Sequence, residues 1–271
     1  GRFSDSLPCF ERACRLDPEY FDSAYNRALT LVDLKRIPEA RAQYKIATKL
    51  DADGTAWFGY GYFLLGLEEY VEAEAALTCA VLKNFARASL SRGNARLAQL
   101  DVPGAIEDWE RTLRVDDNRK RRETADGNLG RARPLLVRAP DPWKGCAAGS
   151  WVLLRFEGSQ QGRIVRKDLK YVLDAVGSSS YDQHCEAMTQ VARWTDVTVA
   201  VPILPGLPEG VIVVGEEVLQ GPKGPIRCSR VRNTAGTEAW LSPEVPGGLV
   251  QAEYRFNGGT ARWQVADFER K

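Results

Sequence analysis

Residues 37–53, "IPEARAQYKIATKLDAD", decide the fold of the first half of the chain because their pattern recurs twice. It returns as "YVEAEAALTCAVLKN" at 70–84 and as "VPGAIEDWERTLRVDDN" at 102–118. In each segment a small residue is followed by a larger one four positions later and by a small one seven positions later. These residues are Ala40, Tyr44 and Ala47, then Ala73, Leu77 and Ala80, then Ala105, Trp109 and Thr112. The first alanines are 33 and 32 residues apart, and the inner spacing predicts one stripe on each of three helices.

A second helical segment precedes each of these three, at 22–34, 55–66 and 86–100. Ala28, Gly61 and Gly93 recur in it at the same register. Small residues at such positions allow two helices to approach closely, so the sequence predicts three helix pairs. Repetition of one helical pair along a chain is typical of a solenoid.

The pattern resembles the tetratricopeptide repeat family, whose unit is a helix-turn-helix of about 34 residues. The opening "GRFSDSLPCFERACRLDPEY" fits the second helix of such a repeat, with Ser6, Phe10 and Ala13 on the stripe. Thr112 departs from the family's usual alanine. We therefore expect a solenoid over 1–118, made of a half repeat and three repeats, with further repeats before residue 1.

Residues 119–140 are predicted to cap the solenoid and to lead away from it. A polar helix is expected at 120–133, ending before Pro134, because a repeat array needs to cover its last apolar face. The basic run at 119–122 has no aromatic residues within it and is interpreted as a solvated helix end rather than a nucleic-acid site.

From Trp151 the hydrophobic pattern alternates, which is typical of strands. Eight strands are predicted, at 150–158, 162–176, 195–204, 210–219, 225–233, 236–242, 248–256 and 259–269. Short turn segments join many of them and favour an antiparallel sheet; one is "WLSPEVPGGL" at 240–249, interpreted as a turn between two strands. The fold class expected is α+β multidomain: a solenoid followed by an antiparallel β-sandwich or half-barrel over 141–271.

This second half also looks like an uncharacterised β-rich domain of bacterial, planctomycete-like proteins. The residues that carry the resemblance are "GSWV" in an opening strand, a strand bearing Cys228 and the "WLSPEVPGG" turn. Proteins with that domain commonly carry export signals and have no assigned catalytic role. The resemblance therefore implies the periplasm or cell envelope in preference to the cytoplasm, and it assigns no site residues.

Composition excludes several classes of protein. Lys and Arg total 37 against 36 Asp and Glu, so a net charge of +1 gives no global attraction to nucleic acid or anionic membranes. The chain has no run of about 18 apolar residues, so no transmembrane segment is predicted. The six cysteines form no C-x-x-C pair and are interpreted as small buried thiols. One disulfide among Cys146, Cys185 and Cys228 remains an open alternative.

Little in the sequence indicates catalysis. His184 is the only histidine, and it is interpreted as a surface or loop residue rather than a base or a metal ligand. No phosphate-binding loop, metalloprotease motif or nucleophile elbow is present. We expect a non-enzymatic protein with no cofactor, no metal and no catalytic residue.

The predicted partner-binding residues lie on the first helix of each pair, since stacked tetratricopeptide repeats line a concave groove with these helices. The groove residues expected are Tyr25, Leu29, Phe58, Tyr62, Leu65, Arg87, Leu90, Asn94 and Leu97. Most are aromatic or apolar, so we expect a peptide or helix of a partner protein, apolar or amphipathic, seated in the groove. Packing between repeats is the alternative role for Tyr25, Phe58 and Tyr62.

The protein is thus expected to be an interaction scaffold, with the β domain as a second binding or anchoring unit and with further subunits of a complex as other partners. Two alternatives stay open. In one, the β domain carries a lipid or small apolar ligand between Trp151, Trp194, Trp240 and Trp263. In the other, the chain is the regulatory tail of a longer enzyme whose catalytic domain precedes residue 1.

Overall fold

The computed structural model describes residues 2–137, 139–160, 162–188, 193–195, 199–202, 207–256 and 258–271. Within them, eight α-helices come first: α1 Arg2–Leu16, α2 Phe21–Asp33, α3 Ile37–Leu50, α4 Thr55–Gly66, α5 Tyr70–Leu82, α6 Ala88–Ala98, α7 Val102–Val115 and α8 Arg119–Ala132. Ten strands follow: β1 Trp151–Gln160, β2 Arg163–Val176, β3 Ser180–Met188, β4 Arg193–Thr195, β5 Val199–Pro202, β6 Ile212–Gly221, β7 Gly224–Arg232, β8 Glu238–Leu241, β9 Leu249–Phe256 and β10 Gly259–Glu269. The two-part α+β architecture is confirmed.

The helices pack as the small-residue pattern predicted. A methyl group on Gly61 would lie 2.5 Å from Leu77 Cγ, and one on Gly93 would lie 2.6 Å from Trp109 Nε1. Both glycines are on the first helix of a pair and both contacts are on the second, so there is no room for a larger residue. Ala28 is likewise fully buried.

The turn inside each pair has the same backbone conformation. Lys35, Glu68 and Leu100 follow α2, α4 and α6 with φ of 56°, 59° and 65°, in the left-handed region. In each turn the next amide bonds back to the carbonyl five residues earlier, as in Asp101 N to Arg96 O at 2.9 Å. The left-handed residues repeat at the same intervals of 33 and 32 as the alanines, so the backbone follows the sequence repeat.

The strands form one antiparallel sheet in the order β4-β3-β2-β1-β10-β9-β8-β7-β6, with β5 pairing β3 beside β4. Eight strand spacings separate β5 from β6, which is about 38 Å in a flat sheet. The ten residues from Pro202 to Ile212 reach about 33–36 Å when fully extended. The sheet is therefore curled. Lys223, at the β6–β7 turn, accordingly lies 4.8 Å from the centre of the Phe268 ring on β10.

The inner face of the sheet covers the end of the helical array. One hydrophobic cluster includes Trp109 of α7, Leu129 of α8 and Phe156 and Trp263 of the sheet. The rings of Phe156 and Trp263 are 4.6 Å apart. The Tyr254 hydroxyl donates to the Leu100 carbonyl and accepts from the Val102 amide, so the sheet also caps the turn between α6 and α7.

The segment between α8 and β1 is fixed by several hydrogen bonds. Trp143 is buried and donates from Nε1 to Gln183 Oε1 at 2.8 Å. The Tyr181 hydroxyl donates to Asp141 Oδ1 at 2.6 Å, and the Asn233 side chain donates to the Pro134 carbonyl at 2.7 Å. Helix α8 lies where the polar capping helix was predicted, and Pro134, Asp141 and Trp143 after it bond to residues of the sheet or of its turns.

Two predictions about the second half differ from the structure. Strand β3 lies in residues 177–196, where no strand was predicted before position 195. Residues 195–204, predicted as one strand, contain the end of β4 and all of β5, with 196–198 and 203–204 outside the described residues. The turn prediction is confirmed: β8 ends at Leu241, β9 begins at Leu249, and the two glycines between them have φ of 78° and 70°.

Candidate functional site

An aromatic cluster on α4 is the most exposed part of the predicted groove. The rings of Phe58 and Tyr62 are 6.0 Å apart, and Phe58 lies 5.1 Å from Phe85. Tyr62 is 64% exposed although it belongs to a cluster of three aromatic rings. Leu65, less than one turn further along α4, is half-buried against the repeat core. Phe58 thus lies between Tyr62 and the repeat core, and the Tyr62 ring stays exposed at the surface.

The first repeat contributes less exposed surface. Tyr25 is half-buried, stacked on Phe21 at 5.7 Å and in edge contact with Tyr44 at 6.3 Å. Burial, assisted by the charge of Asp51, raises the pKa of the Tyr25 hydroxyl. Leu29, one turn further along α2, is exposed. Tyr25 therefore packs between repeats while Leu29 faces outward.

The third repeat divides its four predicted residues between surface and core. Arg87 and Asn94 are exposed and Leu97 is half-buried. The Asn94 side-chain oxygen accepts from Trp109 Nε1 at 3.3 Å and from Asn128 Nδ2 at 3.2 Å, which fixes its position. Leu90 is buried in the cluster that α6 shares with α7 and the sheet, so it is not part of the accessible surface.

A groove of about 780 Å³ lies where the helices meet the sheet, and we call it the junction cleft. Its helical side includes Asn94, Leu97 and the segment from Leu67 to Glu72. Its other side is formed by Ile164 and Val165 of β2 together with Phe256 at the end of β9. Sequence reasoning missed this cleft because it depends on how the sheet sits against the array.

The junction is held by a network of buried charges. Lys167 of β2 is 0% exposed, and its Nζ lies 2.5 Å from Glu74 Oε2 on α5 and 3.2 Å from Asp101 Oδ2 at the start of α7. Arg96 Nε reaches the other Glu74 oxygen at 2.9 Å. Burial alone would raise the pKa of Glu74, but Lys167 and Arg96 outweigh it and hold that pKa at about 2.

The same network continues into the third repeat. Arg92 of α6 contacts Asp108 of α7 at 2.5 Å, and Arg96 Nη1 lies 3.2 Å from the same carboxylate. Three cations and three anions take part, so the buried charges balance. A signal existed in the sequence, since Glu74, Arg92 and Asp108 each adjoin a residue of the predicted stripes or contact points.

His184, expected at the surface or in a loop, is a partly exposed residue on a strand. It is on β3, where Nδ1 lies 2.7 Å from Asp174 Oδ1 and Nε2 lies 3.7 Å from Glu186 Oε1. A carboxylate therefore lies at each of its ring nitrogens. Among the described residues, no group of three or more His, Cys, Asp or Glu is placed to hold a metal ion.

The cysteines are free thiols: Cys228 is buried, Cys146 and Cys185 are half-buried and Cys9 is exposed. Of these four thiols, only Cys228 is buried as the sequence predicted. No disulfide joins Cys146, Cys185 and Cys228 in the structure. The described helices include none that is both long enough and apolar enough to cross a bilayer.

The tryptophans do not converge on one ligand cavity. Trp263 pairs with Ala252 and Trp240 with Gln251, which are consecutive residues of β9, so the two rings lie on opposite faces of the sheet. Trp240 Nε1 bonds to Glu217 and Trp151 Nε1 to Glu269, each at 2.9 Å. The Trp194 side chain lies outside the described residues. Trp240 and Trp263 are both buried, whereas Trp151 is half-buried and lies outside the hydrophobic cluster that contains them.

Comparison with known proteins identifies the repeats. A family model described as tetratricopeptide repeat matches residues 1–54 and 25–85. No curated protein matches the chain.

Solved structures that resemble the chain include MamA from Desulfovibrio magneticus RS-1, at 18% identity and a TM-score of 0.40, over 49% of this chain and 85% of that one. Another is PilF of Pseudomonas aeruginosa, at 22% identity and a TM-score of 0.45, over 49% and 63%. A third is YrrB, at 19% identity and a TM-score of 0.42, over 48% and 68%. The family model, which covers residues 1–85, shows that this chain contains tetratricopeptide repeats.

Proposed function

We propose that this chain is a non-enzymatic scaffold that binds an apolar or amphipathic segment of a partner protein. The segment lies along α2, α4 and α6, on the face that carries Leu29, Tyr62, Arg87, Asn94 and Leu97. Tetratricopeptide repeats generally mediate protein–protein interaction, and the matched family model supports that role for the array.

The observation that carries the proposal is the aromatic cluster at Tyr62. Tyrosine is enriched among residues that contribute most of the binding energy at protein interfaces. Tyr62 is the most exposed aromatic residue among those with large exposed side chains, and its ring packs on Phe58, which in turn packs on Phe85. A ring held at the surface in this way loses little conformational entropy when a partner covers it.

Peptide display against the whole chain, followed by affinity measurements on the selected peptides, tests the proposal. Tyr62→Ala should weaken binding of those peptides about thirtyfold, the effect expected for an aromatic contact of about 2 kcal/mol. Ile46→Ala on α3 is the matched control, because Ile46 is also an exposed large apolar residue but lies on the second helix of its pair.

The fold of both variants is checked by circular dichroism, and neither substitution should alter it because both side chains are exposed. If the selected peptides bind Tyr62→Ala and the parent chain equally, the groove on α4 is not the binding surface. If Ile46→Ala weakens binding as much as Tyr62→Ala does, the face formed by α2, α4 and α6 is not the specific binding surface.

A further inference from the structure

We propose that the junction cleft selects a basic amphipathic segment, so that the partner's Lys or Arg side chains meet its acidic rim while its apolar side chains meet the sheet. The inference rests on the proposed function, because Asn94 and Leu97 belong both to the groove and to the cleft.

The charged side chains among the described residues that line the cleft are all acidic. Glu68, Glu69 and Glu72 line it, and no Lys or Arg is among its described lining residues. Arg41 contacts Glu69 at 2.5 Å from outside that lining and offsets the charge of that residue. Glu72 is exposed and forms no ion pair with another described residue. A segment that carries basic side chains is attracted to such a site, and an acidic one is repelled.

The opposite wall is apolar and comes from the sheet. Ile164 is 56% exposed at the start of β2, beside Val165 and close to Phe256, which are both half-buried. Exposed aliphatic groups facing carboxylates across a groove fit a helix or strand with one apolar and one basic face. The cleft therefore distinguishes partners by charge as well as by hydrophobicity.

The cleft also continues the groove in space. Leu67, at its edge, is five residues beyond Tyr62, which is about 7.5 Å along a helix axis. Asn94 is fixed by Trp109 and Asn128, so this part of the surface is already formed before a partner arrives. A bound segment of about two helical turns reaches from the aromatic cluster into the cleft.

The test uses two labelled helical peptides of about five turns with the same leucine pattern, one with lysine and one with glutamate at every polar position. Fluorescence anisotropy with the whole chain should show the lysine peptide binding about tenfold more tightly, with a preference that falls as salt rises. Glu72→Lys should weaken the lysine peptide severalfold and strengthen the glutamate peptide.

The sheet wall is tested separately by Ile164→Asn, which should weaken the lysine peptide about fivefold. Val176→Asn is the control, since Val176 lies at the other end of the same strand and is 54% exposed.

Equal binding of the two peptides overturns the inference. It is also overturned if Glu72→Lys and Ile164→Asn have no effect while Tyr62→Ala still weakens binding, and in that case the proposed groove stands. If the two cleft variants weaken binding and Tyr62→Ala changes nothing, the groove proposal fails and the cleft's preference for basic segments stands.

Discussion

Replacing Lys167 by methionine removes the charge that links the sheet to two helices while keeping a side chain of similar length. The Nζ atom lies 2.5 Å from Glu74 and 3.2 Å from Asp101, and no part of the side chain reaches solvent. Breaking a buried ion pair from one side costs about 3–5 kcal/mol, because the remaining carboxylates stay buried without their partner. We expect a loss of that size in the free energy of unfolding at neutral pH.

The loss should depend on pH, through Glu74. Its pKa is held at about 2 in the folded protein, below the ordinary value of 4.5, so the ionised form is preferentially stabilised by folding. This stabilisation, about 3 kcal/mol, is complete above about pH 5 and disappears as pH falls through the folded pKa. Without Lys167 the pKa of Glu74 rises. The difference in the free energy of unfolding between parent and variant should therefore be largest near pH 7 and should become smaller toward pH 2.

The control is Lys170→Met on the same strand. Lys170 also faces a glutamate, Glu186 at 3.4 Å, but its side chain is 35% exposed, so the cost should be at most about 1 kcal/mol. Urea unfolding followed by far-ultraviolet circular dichroism, at pH 7 and pH 3, measures both variants. The reasoning is refuted if the two variants lose the same stability, or if the loss in Lys167→Met does not change with pH.

Three further predictions use the same unfolding assay or a simple measure of association. Gly93→Ala should lower the free energy of unfolding by about 1–3 kcal/mol because the new methyl group meets Trp109. Gly127→Ala, where nothing lies within 4 Å of the new methyl group, should raise it by about 0.5–1 kcal/mol, and a loss in both variants would contradict the packing argument. Tyr254→Phe should lower the free energy of unfolding by about 0.5–1.5 kcal/mol, since the Leu100 carbonyl and the Val102 amide lose their bonds to the hydroxyl and keep the bond to each other; an unchanged midpoint would exclude that role. The apolar edge strand β6 should favour edge-to-edge association of two chains, and Val218→Lys should reduce it in sedimentation velocity while leaving the free energy of unfolding within about 0.5 kcal/mol; association that is unchanged by the substitution would contradict this.

The helical pairs could be predicted from the sequence because the same pattern of small and large residues recurs in each repeat. The spacing of Ala40, Ala73 and Ala105 fixes which face of each second helix is buried, and Gly61 and Gly93 fix where its partner touches it. Such contacts join residues about 16 apart along the chain, so a short window of sequence contains both sides of the contact.

The buried charges and the junction cleft could not be predicted in this way. Lys167 and Glu74 are 93 residues apart, and a lysine in an alternating strand is ordinarily interpreted as facing solvent. Strand β3 was missed for a related reason, since its inward positions include Gln183, a polar residue that is buried because it accepts the Trp143 hydrogen bond. Leu90 lay on the predicted groove stripe but is buried, because the last repeat is covered by α7 and the sheet.

The attachment of the sheet has a mechanical consequence for the array. Repeat solenoids behave as springs, since each repeat touches only its neighbours and small changes of angle add along the stack. Here Lys167 ties the sheet to α5 and to the start of α7, which restrains the second and third helix pairs relative to each other. We therefore expect elastic adjustment to a ligand to be concentrated in the repeats near α2, with the end next to the sheet as the more rigid part of the array.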